Sequence, residues 1–103
     1  MKVGSKIKFD SEVQRYTVQA HDARFAVMTK PFSARRTCLY TITDLQREVR
    51  GPINQIFGIN EDVNNAEGAQ KLLLDLQDGL CAVSHRRDLP LTDREIEQLK
   101  PGA

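Results

Sequence analysis

The stretch YTVQAHDARFAVMTK, residues 16–30, reads as two strands of different kinds around a turn. Tyr16, Val18 and Ala20 alternate with Thr17 and Gln19, the period-two pattern of a strand with one buried face. His21-Asp22-Ala23 is a short polar turn. Phe25-Ala26-Val27-Met28 is apolar at every position, so neither face of this second strand suits water, and it belongs in the middle of a sheet covered on both sides. Lys30-Pro31 stops it, because proline has no amide for the ladder.

Working outward, Ile7 and Phe9 alternate with Lys6 and Lys8 as a half-buried first strand. Residues 36–44 form a third long strand rich in threonine and β-branched residues. Cys38, Tyr40 and Ile42 lie on one face; Thr37, Leu39, Thr41 and Thr43 lie on the other. Asp44 to Arg47 is a tight turn into Glu48-Val49-Arg50, and Gly51-Pro52 ends that strand. Ile53, Ile56, Phe57 and Ile59 fit neither period and read as a loop that drops anchors into the core. A helix follows over residues 65–78. Asn64 or Asn65 is its N-cap, Glu67 lies in its first turn, and Gly79 is placed as the C′ residue. Ala69, Leu72, Leu73 and Leu76 form one apolar stripe. Leu80 to His85 reads as a short strand with Cys81 and Val83 on one face. Thr92-Asp93-Arg94-Glu95 is a capping box that opens a short C-terminal helix with Ile96 and Leu99 on its apolar edge. That helix is expected at the periphery.

The pattern is α+β: a curved antiparallel sheet of four to six strands, or a small, partly open and SH3-like β-barrel, with one main amphipathic helix near 65–78 and a short C-terminal helix. At 103 residues the chain has room for one ordinary core, so a single domain over 1–103 is expected. With 40% hydrophobic and 28% charged residues it is neither a disordered tail nor a membrane span. Met1-Lys2-Val3-Gly4 runs into a polar pattern with no apolar stretch behind it, which reads as no secretory signal and a cytoplasmic protein. Cys38 and Cys81 fit two reduced, buried thiols. A zinc site would need His21 and His85 as well, and no metal-binding spacing is present. Residues 60–64 resemble the start of a calcium loop, but Asn65 holds the glycine position and Lys71 that of the bidentate glutamate. No metal and no cofactor are expected.

The net charge of +1 hides an asymmetry. Residues 1–50 carry ten Lys or Arg against five Asp or Glu, and residues 51–103 carry five against nine. A basic sheet half and an acidic helical half can steer a charged partner, or simply attract one another. The best binding candidate is the connection Lys30-Pro31-Phe32-Ser33-Ala34-Arg35-Arg36. Lys30, Arg35 and Arg36 can meet acidic groups or phosphates, and Phe32 can anchor on a protein or stack on a base. The alternative is a solvated loop with Phe32 folded into the core. Arg86 and Arg87 form a second candidate for an acidic group. Ser84 and His85 are adjacent in a strand, point to opposite faces and cannot act as nucleophile and base. Cys38 and His85 would have to meet in space for catalysis, and we expect no enzyme.

Residues 3–32, VGSKIKFDSEVQRYTVQAHDARFAVMTKPF, followed by RRTCLYTITDL and REVRGPINQIFG, resemble a group of short accessory proteins of tailed bacteriophages and prophages. The resemblance spans roughly residues 3–58, with an echo in VSHRRDLPL. Val3-Gly4-x-Lys6-Ile7-x-Phe9 is also similar to the first strand of small SH3-like barrels. The phage resemblance implies a protein of the bacterial host cytoplasm that acts by binding host or phage machinery, defence systems included. It supplies no functional residues. The expectation is therefore a protein-binding module, with a homodimer also open, that uses the Lys30–Arg36 loop and the adjacent strand 37–43. The second reading is nucleic-acid binding by the basic half. No membrane contact is expected.

Overall fold

In the computed structural model, five strands and two helices follow in the order β1 (Lys6–Ile7), β2 (Tyr16–His21), β3 (Phe25–Pro31), β4 (Cys38–Asp44), β5 (Val49–Gly51), α1 (Ala66–Gln77) and α2 (Asp93–Leu99). The structure describes residues 1–31, 38–53, 63, 65–84 and 90–100, without the side chains of Pro31, Cys38 and Leu39. Each strand pairs antiparallel with its neighbour in sequence, giving one sheet in the order β1-β2-β3-β4-β5. The sheet curves into a half-barrel, and the architecture is α+β.

β3 sits in the middle, as its composition requires. Phe25 and Val27 turn to a core closed by Ala69, Leu73 and Leu76 of α1. Ala26 and Met28 turn to a second core that contains Ile7, Phe9, Leu91 and Leu99. On β4, Ile42 joins the α1 side, while Thr41 and Thr43 are buried between the strands. Ile53 drops into the first core as an anchor, as does Val63; Ile56, Phe57 and Ile59 lie outside the described residues.

Three expectations change. First, Tyr16, Val18 and Ala20 do not share a face. Val18 stands opposite Met28 and Ala20 opposite Val27, so Gln19 is an extra residue in the ladder. This bulge shifts the alternation by one residue and sends Ala20 to the α1 core while Tyr16 and Val18 serve the other. Second, the strand read over residues 80–85 shrinks to an isolated bridge between Val83 and Ile53. The chain passes so close to β5 there that a Cβ on Gly51 would lie 2.8 Å from the Ser84 carbonyl oxygen. Third, α2 is not peripheral. Leu99 is fully buried and Glu95 nearly so.

α1 begins as its sequence directs: the Asn65 side chain accepts the Gly68 amide. It ends on Gly79 at φ +75°, with Gly79 and Leu80 amides donating to Leu76 and Asp75 carbonyls, a closure that suits glycine. α2 has only seven residues, too few to persist without tertiary support. Its capping box supplies that support. The Glu95 carboxylate accepts the Thr92 amide through one oxygen and the Asp10 amide through the other, at 2.9 and 2.8 Å. The Thr92 hydroxyl accepts the Glu95 amide and donates to Asp10 Oδ2.

Two predictions follow from this packing. Leu99→Ala should cost about 2–5 kcal/mol, as much as Leu73→Ala, whereas the half-exposed Leu74→Ala should cost under about 1 kcal/mol; urea denaturation of the three variants measures this. Gly51→Ala should lower the urea midpoint, since the obstructing atom is backbone and cannot rotate away.

Candidate functional site

Lys30 lies two residues beyond Met28 on β3 and faces the same side of the sheet. Its Nζ donates to Glu12 Oε1 at 2.6 Å and stands 5.1 Å from the centre of the Tyr16 ring. The Tyr16 hydroxyl donates to the same carboxylate oxygen at 3.2 Å. The other oxygen, Oε2, is 3.0 Å from Arg50 Nη2, an ion pair without an aligned hydrogen bond. Arg50 is itself stacked over Phe9, 4.1 Å from the ring centre, and donates to the Ser11 hydroxyl. Phe9 meets Tyr16 edge-on at 5.4 Å. One carboxylate on a loop thus joins β2, β3 and β5.

The same loop is cinched from below. Lys8 Nζ donates to the carbonyls of Phe9 and Glu12, and the Glu12 amide donates to the Phe9 carbonyl at 3.1 Å. With Phe9 fully buried and Glu12 held, the next residues are forced outward: Val13 is 94% exposed, and Gln14 and Arg15 are exposed beside it. Because β2 and β3 are antiparallel, with Thr17 opposite Thr29, this tip leaves the sheet at the end where Lys30 and Pro31 lead into the β3–β4 connection. Pro31 faces Cys38 across that connection.

Burial alone would push the Glu12 carboxyl up; the Lys30 hydrogen bond and the Arg50 and Lys30 charges outweigh it and hold it below its ordinary value. Tyr16 is pushed up to about 12, first by burial and then by the Glu12 charge. It stays a neutral donor. At the opposite end of the sheet Asp44 plays a similar part. Arg24 grips it through Nε and Nη2 at 2.9 and 2.8 Å, and the Gln46 and Arg47 amides donate to its Oδ1. Burial again opposes ionisation, and the Arg24 hydrogen bond with the Arg47 amide overcomes it.

Of the residues singled out from sequence, Lys30 is placed here. Phe32, Arg35, Arg36, Arg86 and Arg87 lie outside the described residues, as does His85 and with it the pairing with Cys38. Two corrections concern the surface around them. Strand 37–43 is not an outward face where it is described: Thr41, Ile42 and Thr43 are buried, and Tyr40 is half-buried. The early cations do not gather outward as one patch. Lys8, Lys30 and Arg50 are drawn inward, and Arg24 lies on Asp44. Among the described residues of that half, Lys2, Lys6, Arg15 and Arg47 are exposed without a carboxylate partner. Sequence reasoning passed over Glu12, which organises the site; its one signal is an acid set among Lys6, Lys8 and Arg15. No family model, curated protein or solved structure matches the chain.

Both carboxylates are stabilised as anions in the fold, so the stability they add is present above the usual carboxylate range and is lost as pH falls below about 4. Glu12→Gln should cost about 2 kcal/mol at neutral pH, between the limits for exposed and buried pairs, and should flatten the acid limb of stability against pH. Urea melts from neutral pH downward, wild type against variant, give the comparison.

Proposed function

We propose that the chain is a non-enzymatic protein-binding module, of the phage or prophage accessory kind, that meets its partner with one end of the sheet. The observation that carries this is the Glu12 clamp. It commits a half-buried carboxylate and two cations to fixing a loop whose apolar tip, Val13, faces open water. A fixed loop loses little entropy on binding, and Arg15, exposed two residues beyond Val13, is of a type enriched at protein contacts. The Lys30–Arg36 connection leaves the sheet at the same end, so Phe32, Arg35 and Arg36 belong to the proposed surface. The nucleic-acid reading is the weaker, because Lys30, Arg50 and Arg24 already have carboxylate partners, and phosphate binding relies on free cations.

The test is affinity capture from bacterial lysate with the wild type, Val13→Asp paired with Arg15→Glu, and the triple variant Phe32→Ala, Arg35→Ala, Arg36→Ala. Both variants should melt like the wild type and lose a captured protein that survives nuclease treatment. Capture that nuclease abolishes, or that both variants retain, overturns the reading.

A further inference from the structure

The edge of β1 is a different surface, and the inference drawn from it does not depend on the sheet end just described. Among the described residues, β1 is paired with β2 on one side only. The Val18 amide donates to the Ser5 carbonyl at 2.9 Å. In an antiparallel ladder the bonded residues alternate, so Lys6, the next residue and the partner of Thr17, turns its own N–H and C=O away from β2. Lys8, two residues on, has the same outward aspect. Both its backbone groups are taken by a single side chain: its amide donates to Gln98 Oε1 at 2.9 Å, and Gln98 Nε2 donates to its carbonyl at 2.8 Å. A carboxamide carries an acceptor and a donor side by side, as the peptide unit of a neighbouring strand does. The edge is thus paired in strand fashion at Lys8 and open at Lys6.

Beside the open position lies a groove of about 540 Å³ between β1 and α2, with Met1, Lys6 and Ile7 among its lining residues and Arg94 and Glu97 supplying its charges. Glu97 is balanced by Lys100 at 3.3 Å, while Lys6 and Arg94 are exposed and have no carboxylate partner among the described residues. The groove is net positive. We infer that it is a docking site for an extended, acidic peptide segment of a partner protein, added to β1 as a further strand. One residue of the peptide takes both backbone bonds of Lys6. Its side chain lies on the Lys6 face of the sheet, where an acidic group forms the favourable cross-strand pair. The residues on either side of it face the way Ile7 does, into the groove, and are apolar. This is strand addition at a sheet edge, in which the backbone supplies affinity and alternate side chains supply selectivity.

The probe is a short acetylated and amidated peptide of alternating glutamate and valine, titrated in an amide-resolved NMR experiment. Saturable shifts confined to residues 5–8 and 94–98 are expected. Lys6→Pro removes the outward amide but no β1–β2 bond, since those come from Gly4, Ser5 and Ile7, and proline is accepted on edge strands. It should weaken binding about tenfold, the worth of one backbone hydrogen bond, while Lys6→Ala weakens it less. Should Lys6→Pro fail to fold, the wild type with the peptide N-methylated at its central amide makes the same comparison. Arg94→Glu should reduce binding and its dependence on salt. Absence of shifts at the two segments, or equal binding by Lys6→Pro or the N-methylated peptide, overturns the proposal. So does a concentration-dependent dimer that Lys6→Pro dissolves, which would assign the edge to a second copy of this chain.

Discussion

β3 has no side that tolerates water from Phe25 to Met28, and the rest of the architecture answers that constraint. A sheet built around such a strand needs a cover on each face, and the described residues give two helices to supply it. α1 takes the Phe25 and Val27 side with a three-turn stripe. The Ala26 and Met28 side is left to a helix of seven residues together with the N-terminal segment. The bulge at Gln19 belongs to the same solution. It lets β2 supply Tyr16 and Val18 to one core and Ala20 to the other, so that both covers have something to pack against.

A core divided between two faces is thin on each, and small domains bury a modest share of their surface. The polar ties compensate at the places where chain segments meet. Asp22 accepts the Arg24 and Phe25 amides and the Gln77 carboxamide, which fastens the β2–β3 turn to the end of α1. Asp44 fastens that turn to the next one through Arg24. Glu95 fastens α2 to the N-terminal segment, and Glu12 fastens that segment back to β3 and β5. Asp22, Asp44 and Glu12 are each partly desolvated, and each has enough donors to outweigh that cost and stay charged, which is the condition for a buried ion to hold rather than weaken a fold. Three of the cations that make the first half of the chain basic, Arg24, Lys30 and Arg50, are consumed by these ties.

That consumption explains where sequence reading succeeded and where it stopped. Local periodicity and capping chemistry act within a few residues. The α1 stripe, the Asn65 cap, the Gly79 terminus, the Thr92–Glu95 box and the two-faced β3 were therefore all legible. The Gln19 bulge was not, because no glycine or proline marks it and the alternation runs through it unbroken. The burial of Leu99 was not, because a short helix with two apolar residues looks peripheral until the sheet face that needs it is known. At the candidate site Lys30 was legible as a cation in a connection, but its partner stands eighteen residues earlier in a different loop. Charge counts register sign and position along the chain; they cannot register pairing across it.

The two edges of the sheet show the same economy of length with opposite results. Beyond β5 the chain returns as backbone: the Ser84 amide reaches the Pro52 carbonyl, and the Leu91 amide reaches Glu48. Those groups are held by the covalent chain on both sides, and releasing them means lifting a segment off the core. Beyond β1 no further strand pairs among the described residues, and a single side chain stands in for one. Gln98 must give up its rotamer freedom to hold that pose, so exchanging it for a real strand forfeits less than breaking the β5 edge would. Sheets with an open edge ordinarily guard it with lysine, and the exposed Lys6 is such a guard. Lysine repels a like strand but attracts an acidic one, so the same side chain that disfavours a second lysine-bearing edge would favour a segment of the opposite charge.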